Sequence, residues 1–214
     1  MDQRTSAIGT ASFLKSWAFY RNREWIRSVV SRIIISKATW SELEDSNMGV
    51  DVADVVRRNR IMGMVRTWEK VGYARILQER DARESETFSF GETITEIASS
   101  EISSLLAAKT LKIPILLSDS VEMKRIPPPG FGDVRIVSSL DLLKEILVVR
   151  TGSGTEDQRR AIEINLRIFT AAVGPLLDED TIERTVNEIY EKRKKNVSQS
   201  TNGKMVKDSH EGGG

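Results

Sequence analysis

The chain has 214 residues, of which 39% are hydrophobic and 29% are charged, as expected for a globular protein with one sizeable core and an appendage. The formal net charge of +1 creates no overall attraction to nucleic acid or to an anionic membrane, although it is compatible with a cluster of basic residues on one face. There is no cysteine, and the one histidine, His210, lies in a glycine-terminated tail. Disulfides, thiolate catalysis, sulfur-bound zinc and a histidine base inside the fold are therefore excluded.

The sequence contains no apolar run as long as a membrane span, and its amino terminus lacks the apolar core of a signal peptide. We therefore expect a cytoplasmic protein with no membrane-embedded part. Any chemistry must use Asp, Glu, Ser, Thr, Lys, Arg, Tyr or a bound cofactor.

The first half of the chain alternates candidate strands and helices. "TSAIGT" is a weak candidate for the first strand, and residues 12–30 carry apolar side chains at helical spacing that is interrupted near Asn22, which predicts two short helices. "RIIIS" (32–36) is typical of a buried strand, and "KATWSELEDSN" of a helix. Residues 51–71 predict one long helix or two, ending at Gly72.

The second half continues the alternation. We predict a strand over 73–79, the polar connection "ARESETFSFGE", a helix from Thr93 to Leu111, the strand "IPILLS", a short helical piece, the rigid turn "IPPPGFGD", a strand over 134–138 and the helix "SLDLLKEILVVR". Strands joined by helices pair in parallel. The order therefore predicts an α/β fold: a three-layer αβα arrangement with a central parallel sheet.

The composition changes at "TGSGTEDQ" (151–158). This stretch lacks the Lys-Ser/Thr ending of a P-loop and follows no strand, so we interpret it as a linker in which Thr155 caps the next helix. Two helices, 156–173 and 178–195, then predict a C-terminal hairpin. The predicted organisation is an α/β domain over 1–150, a helical hairpin extension over 155–196 and a disordered tail over 197–214.

Two acids stand out as candidate site residues. Asp119 follows the strand "IPILLS", and ligands of open parallel sheets bind at the carboxyl ends of strands, but Asp also caps helices and forms turns. Glu101 lies four residues after Ile97 and four before Leu105, within an apolar stripe. A carboxylate there is costly unless it is paired, holds a metal, or reaches water at the edge of the stripe.

A third acid, Glu42 in "ATWSEL", completes an order of motifs that resembles the PIN domain, a fold of metal-dependent ribonucleases found in many toxin and RNA-processing proteins. The resemblance covers roughly residues 8–147 and depends on the order and spacing of the motifs. The four matching stretches are "TASFLKSWAFYRNREWIRSVVSRIIISKATWSEL", "VGYARILQE", "SSEISSLLAAKTLKIPILLSDS" and "VRIVSSLDLLKEI".

The resemblance implies that Glu42, Glu101 and Asp119 are catalytic residues that bind Mg²⁺ or Mn²⁺. Hard divalent cations prefer carboxylate oxygens. A bound metal lowers the pKa of a water molecule, so that hydroxide attacks a phosphodiester without help from a histidine. The expected activity of such a site is endoribonuclease cleavage of RNA.

The sequence departs from the family at two positions. Thr10 occupies the place of the aspartate that ends the family's first strand, and Ser118 occupies the place of a paired acid beside Asp119. Both hydroxyls can hold a metal-bound water, but neither brings a negative charge. We therefore expect a degenerate PIN-like scaffold with weakened or lost RNA cleavage that binds RNA or a partner protein. The alternative is an active, toxin-like Mg²⁺- or Mn²⁺-dependent endoribonuclease that uses the three acids.

Three kinds of partner are left open by the sequence. For RNA, the candidate phosphate contacts are four arginines (57, 58, 60 and 66) and the cations from Lys192 to Lys195, although the second group also lies where cations offset a helix dipole. For a protein partner, the predicted hairpin offers an apolar stripe that alternatively packs on the main domain. That stripe consists of Ile162, Leu166, Phe169 and Val173. The third kind of partner is a second copy of the chain, in a homodimer.

Overall fold

The computed structural model describes residues 5–45, 52–78, 97–125, 133–150, 156–173 and 177–205. The chain divides into two compact units, Met1–Leu142 and Leu143–Gly214. The predicted polar connection after residue 81, nearly all of the rigid turn and the linker at 151–155 with its Thr155 cap lie outside the described residues. None of the described helices combines the length and the hydropathy that a bilayer span requires.

The first unit is built on a five-stranded sheet in the order β3-β2-β1-β4-β5, and every adjacent pair is parallel. This confirms the predicted α/β class with a central parallel sheet. The weak candidate "TSAIGT" forms the central strand, where Ile8 pairs with Ile34 on one side and Leu116 on the other. The strands are β1 (Thr5–Gly9), β2 (Val30–Ile35), β3 (Ala74–Ile76), β4 (Ile115–Leu117) and β5 (Arg135–Val137).

Helices connect the strands, as the alternating pattern predicted. The stretch 12–30 forms one α-helix and a 3₁₀ helix, Arg23–Ser28, and the stretch 51–71 forms a single helix. The last helix of this set continues past the boundary between the two units. The helices are α1 (Ala11–Trp17), α2 (Lys37–Asp45), α3 (Val52–Lys70), α4 (Ser99–Thr110), α5 (Val121–Arg125) and α6 (Ser139–Arg150).

The turn from β1 into α1 is set by two residues. A Cβ on Gly9 would lie 3.1 Å from Cγ2 of Ile33, so the glycine allows β1 to approach β2 closely. Thr10 then caps α1, because its Oγ1 accepts a hydrogen bond of 3.4 Å from the backbone N–H of Phe13. The core of this unit contains large, fully buried side chains, including Phe13, Trp17, Tyr20 and Trp68.

The second unit contains the predicted helical hairpin, formed by α7 (Glu156–Val173) and α8 (Glu179–Met205). Arg167 on α7 binds Glu163 on its own helix and Glu179 on α8. Helix α8 runs beyond residue 195, where the sequence predicted its end, and residues 206–214 lie outside the described part. The buried apolar side chains of the two helices are Ile162, Leu166, Phe169, Ile182, Val186 and Ile189.

Candidate functional site

Four neighbouring strands of the sheet are each followed directly by a buried hydroxyl residue. Thr10 follows β1, Ser36 follows β2, Ser118 follows β4 and Ser138 follows β5, and none is more than 6% exposed. Because parallel strands end at the same side of a sheet, these residues line one edge. We call them the hydroxyl edge.

Glu101 lies in the first turn of α4 and is only 4% exposed, so its carboxylate does not reach bulk water. Its Oε2 accepts a hydrogen bond of 2.7 Å from Oγ of Ser118. Its Oε1 accepts one of 3.3 Å from the backbone N–H of Ser12. Both oxygens of this buried acid therefore have protein donors, which offsets the cost of burying it.

Asp119 is bound to the residue that begins α6. Its Oδ1 accepts a hydrogen bond of 2.8 Å from the backbone N–H of Ser139, and its Oδ2 accepts one of 2.5 Å from the Ser139 hydroxyl. A carboxylate at this position satisfies a free N–H group of the first helical turn and interacts favourably with the helix dipole. Asp119 therefore ties the end of β4 to the start of α6.

Glu42 projects from α2 towards α1 and α4. Its Oε1 lies 2.6 Å from the ammonium of Lys15, and its Oε2 accepts a short hydrogen bond from Ser100. Partial burial acts to raise the pKa of Glu42, but the hydrogen bonds from Lys15 and Ser100 and the positive charge of Lys15 together hold it below its ordinary value. Lys15 and Ser100 therefore favour the ionised form of this carboxylate.

Ser12 links the buried parts of this edge. Its hydroxyl lies 3.0 Å from that of Thr10 and 3.3 Å from that of Ser118, and it accepts a hydrogen bond of 3.1 Å from the backbone N–H of Asp119. Because its backbone N–H also donates to Glu101, Ser12 contacts both Asp119 and Glu101. The result is a continuous network of hydroxyls and carboxylates at the ends of β1 and β4.

Sequence reasoning missed Ser12, Lys15, Ser100 and Ser139. One signal for Ser139 was present, since it follows a strand end, where polar residues line a ligand-binding edge. Lys15 and Ser100 bind Glu42, 27 and 58 residues away, and Ser12 binds Glu101 and Asp119, 89 and 107 residues away along the chain. No local pattern marks such pairs.

The three acids predicted as metal ligands all lie at this side of the sheet, but each one binds a different set of groups from the chain. Mg²⁺ and Mn²⁺ require several oxygen ligands directed at one point. Within the described residues, no three Asp, Glu, His or Cys side chains are grouped so that they could hold an ion. Glu42 instead accepts hydrogen bonds from an ammonium and a hydroxyl, and Glu101 and Asp119 each accept one from a hydroxyl and one from a backbone N–H group.

Some of the predicted phosphate contacts have other roles. Arg60 donates from Nε to the backbone oxygen of Ala18 at 3.0 Å and lies over the ring of Phe19, so it fastens α3 to the segment after α1. Lys194 binds Glu191 and lies over the ring of Tyr190. Arg57 and Arg66 are exposed on α3.

We compared the chain with protein-family models, with curated proteins and with solved structures, and none of the three comparisons gave a match. The class that the fold defines is an α/β protein with a five-stranded parallel sheet and a polar, hydroxyl-rich edge. We infer a function from the contacts that the acids and hydroxyls make at that edge.

Proposed function

We propose that this chain is a PIN-like scaffold that has lost metal-dependent RNA cleavage and acts by binding a partner. The observation that supports this most strongly is the contact between Lys15 and Glu42. A lysine ammonium supplies, next to a predicted metal ligand, the positive charge that a metal would otherwise bring. An ammonium cannot activate water as a divalent ion does.

The position of the missing acid supports the same conclusion. Thr10 is fully buried, and its hydroxyl serves as the cap of α1 and as a neighbour of Ser12. It is therefore a structural hydroxyl that contributes no charge to bind a cation. Each carboxylate oxygen of Glu101 accepts one hydrogen bond from the chain, from the hydroxyl of Ser118 and from the backbone N–H of Ser12, so the burial of this acid is offset without a metal.

Between the two partner classes, the exposed side chains favour a protein over RNA. Three valines on α3 are at least half exposed: Val52, Val55 and Val56. Apolar surface gains free energy when it is buried against a protein, whereas RNA affinity depends mainly on cations at phosphates and on aromatic stacking. The exposed arginines on the same helix are compatible with either partner.

The loss of cleavage is tested by incubating labelled single-stranded RNA with the full chain and Mn²⁺, Mg²⁺ or a chelator. The matched control is Glu101→Gln, which keeps the side-chain size and one acceptor oxygen. We expect the wild-type chain and the variant to give the same background in all three conditions. Metal-dependent cleavage that Glu101→Gln abolishes would overturn the proposal and establish the active endoribonuclease instead.

A further inference from the structure

Helix α3 is apolar on two opposite sides. Its second half packs into the core through Ile61, Val65 and Trp68, which are at most 2% exposed. Its first half carries Val52, Val55 and Val56, which are 75%, 50% and 59% exposed. A helix at a protein surface is normally polar on the side away from the core. The exposed valines are the exception that needs an explanation.

The exposed valines form one stripe. At 3.6 residues per turn, Val52, Val55, Val56, Asn59 and Gly63 fall within an arc of about 100°, on the side opposite Ile61 and Trp68. All five are exposed. Their spacing of i, i+3, i+4, i+7 and i+11 is that of a helix that packs against another helix. We call these five residues the outward face of α3.

Gly63 gives the outward face a point of close approach. Glycine is among the poorest helix formers, yet here it occupies a helix interior. A Cβ added at Gly63 would have no atom of the described residues outside its own turn of helix within 4 Å, so no described contact requires a glycine here. A glycine on the surface of a helix allows a neighbouring backbone to come closer than any other residue does.

The charge along this side of the helix is unequal. The helical repeat places Arg66 and Lys70 in line with the outward face, one and two turns beyond Gly63, and both are exposed. The acids of α3, Asp54 and Glu69, lie outside the same arc. The surface is therefore apolar at its amino-terminal end and cationic at its carboxyl-terminal end.

We propose that the outward face of α3 binds a helix of a partner protein that has an apolar stripe and acidic side chains. The apolar stripe covers the valines, and the acidic side chains pair with Arg66 and Lys70. A second copy of this chain is a poorer match. An antiparallel pair sets the cations of each α3 against the valines of the other, and a parallel pair sets cations against cations. The proposal rests on the binding role proposed above and specifies the class of partner.

The test uses a labelled synthetic helix of about 20 residues, with leucines spaced i, i+3, i+4 and i+7 and with flanking glutamates. Its binding to the full chain is measured by fluorescence anisotropy, beside a peptide in which lysines replace the glutamates. Val56→Glu is paired with Val149→Glu in the second unit, because the two valines are 59% and 60% exposed. Gly63→Leu places a large side chain at the point of close approach and leaves the core unchanged. The melting temperature of this variant verifies that it is folded.

We expect the glutamate peptide to bind, and Val56→Glu and Gly63→Leu each to weaken binding by about tenfold or more. Val149→Glu should bind like the wild-type chain, and the lysine peptide should bind less tightly. Equal binding of both peptides, wild-type affinity in Val56→Glu, or no binding at about millimolar peptide would overturn the proposal. Self-association that Val56→Glu abolishes would assign the face to a second copy and would also overturn it. RNA cleavage is measured separately, so failure of this proposal is distinguishable from failure of the proposed function.

Discussion

The ammonium of Lys15 lies 2.6 Å from Oε1 of Glu42 and joins the helix after β1 to the helix after β2. This pair occupies the side of the sheet at which the sequence predicted a metal ion. The side chains of the pair are 40% and 33% exposed, so solvent screens their attraction and the contribution of the pair to stability is modest. Its effect on the ionisation of Glu42 is measurable directly.

Replacing Lys15 with methionine should raise the pKa of Glu42 towards its ordinary value. In the wild-type chain the folded-state pKa lies below the unfolded value, so Glu42 stabilises the fold above the unfolded pKa and loses that contribution as the pH falls through the folded pKa. Lys15→Met should therefore lose less stability than the wild type between neutral and acid pH. Carboxyl-carbon NMR titration of Glu42 measures the shift.

The matched control for this prediction is Lys144→Met, which removes a lysine–glutamate pair in the second unit. It should leave the titration of Glu42 unchanged. An unaltered Glu42 titration in Lys15→Met would show that the ammonium does not act on this carboxylate.

Replacing Asp119 with alanine should destabilise the fold by about 1–3 kcal/mol, because the N–H and hydroxyl of Ser139 both lose their acceptor. Ser139→Ala removes only the hydroxyl and should cost about 1 kcal/mol. Denaturant unfolding measures both. Asp133→Ala, at an exposed position near the start of β5, is the control and should change stability by no more than about 0.5 kcal/mol. If Asp119→Ala were as stable as this control, Asp119 would not tie β4 to α6.

Replacing Thr10 with aspartate should create a chain that responds to metal. The new carboxylate would lie beside Ser12, which contacts both Glu101 and Asp119. Three negative charges at this edge would favour the binding of a divalent cation. We expect Mn²⁺ to raise the melting temperature of Thr10→Asp. The matched control is Thr10→Asn, because asparagine has nearly the same size as aspartate and can also cap α1 but carries no charge. An equal Mn²⁺ response in Thr10→Asn would show that the charge at position 10 is not what the edge lacks.

Replacing Arg193 with methionine should stabilise the second unit. Arg193 is 8% exposed, and its buried Nε and Nη1 have no hydrogen-bond partner in the part of the chain that the structure describes. Burial also lowers the pKa of its guanidinium, because it disfavours the charged form. We expect thermal or denaturant unfolding to show a gain of about 1 kcal/mol. Lys192→Met removes an exposed cation from the same turn and should have little effect. A loss of stability in Arg193→Met would contradict this account.

Much of the fold could be predicted from the sequence because it depends on local periodicity. The run "RIIIS" and the helix over 51–71 follow from spacing and residue type, and the parallel order follows from alternation. The exposure of the first turns of α3 could not be read in the same way. The helical repeat sets Val52 and Val55 on the side opposite Trp68, but only the tertiary structure shows that the valine side is the exposed one.

The candidate site was predictable only in part. Glu101 stood out because an acid within an apolar stripe requires a partner, and the structure places it in the core with two donors. Its partners were not visible, since Ser12 and Ser118 reach it only when β1 and β4 pair. The neutralisation of Glu42 by Lys15 depends in the same way on how α1 and α2 lie in the folded chain.

The most direct test of the central claim is a calorimetric titration of the wild-type chain with Mn²⁺ near neutral pH, beside Glu101→Gln. If the chain's own donors satisfy the three acids, the wild type should show no saturable binding tighter than about millimolar, and its titration should match that of Glu101→Gln. Saturable binding in the micromolar range that Glu101→Gln abolishes would show that a metal displaces those donors, and it would contradict the proposal of a scaffold without metal-dependent cleavage.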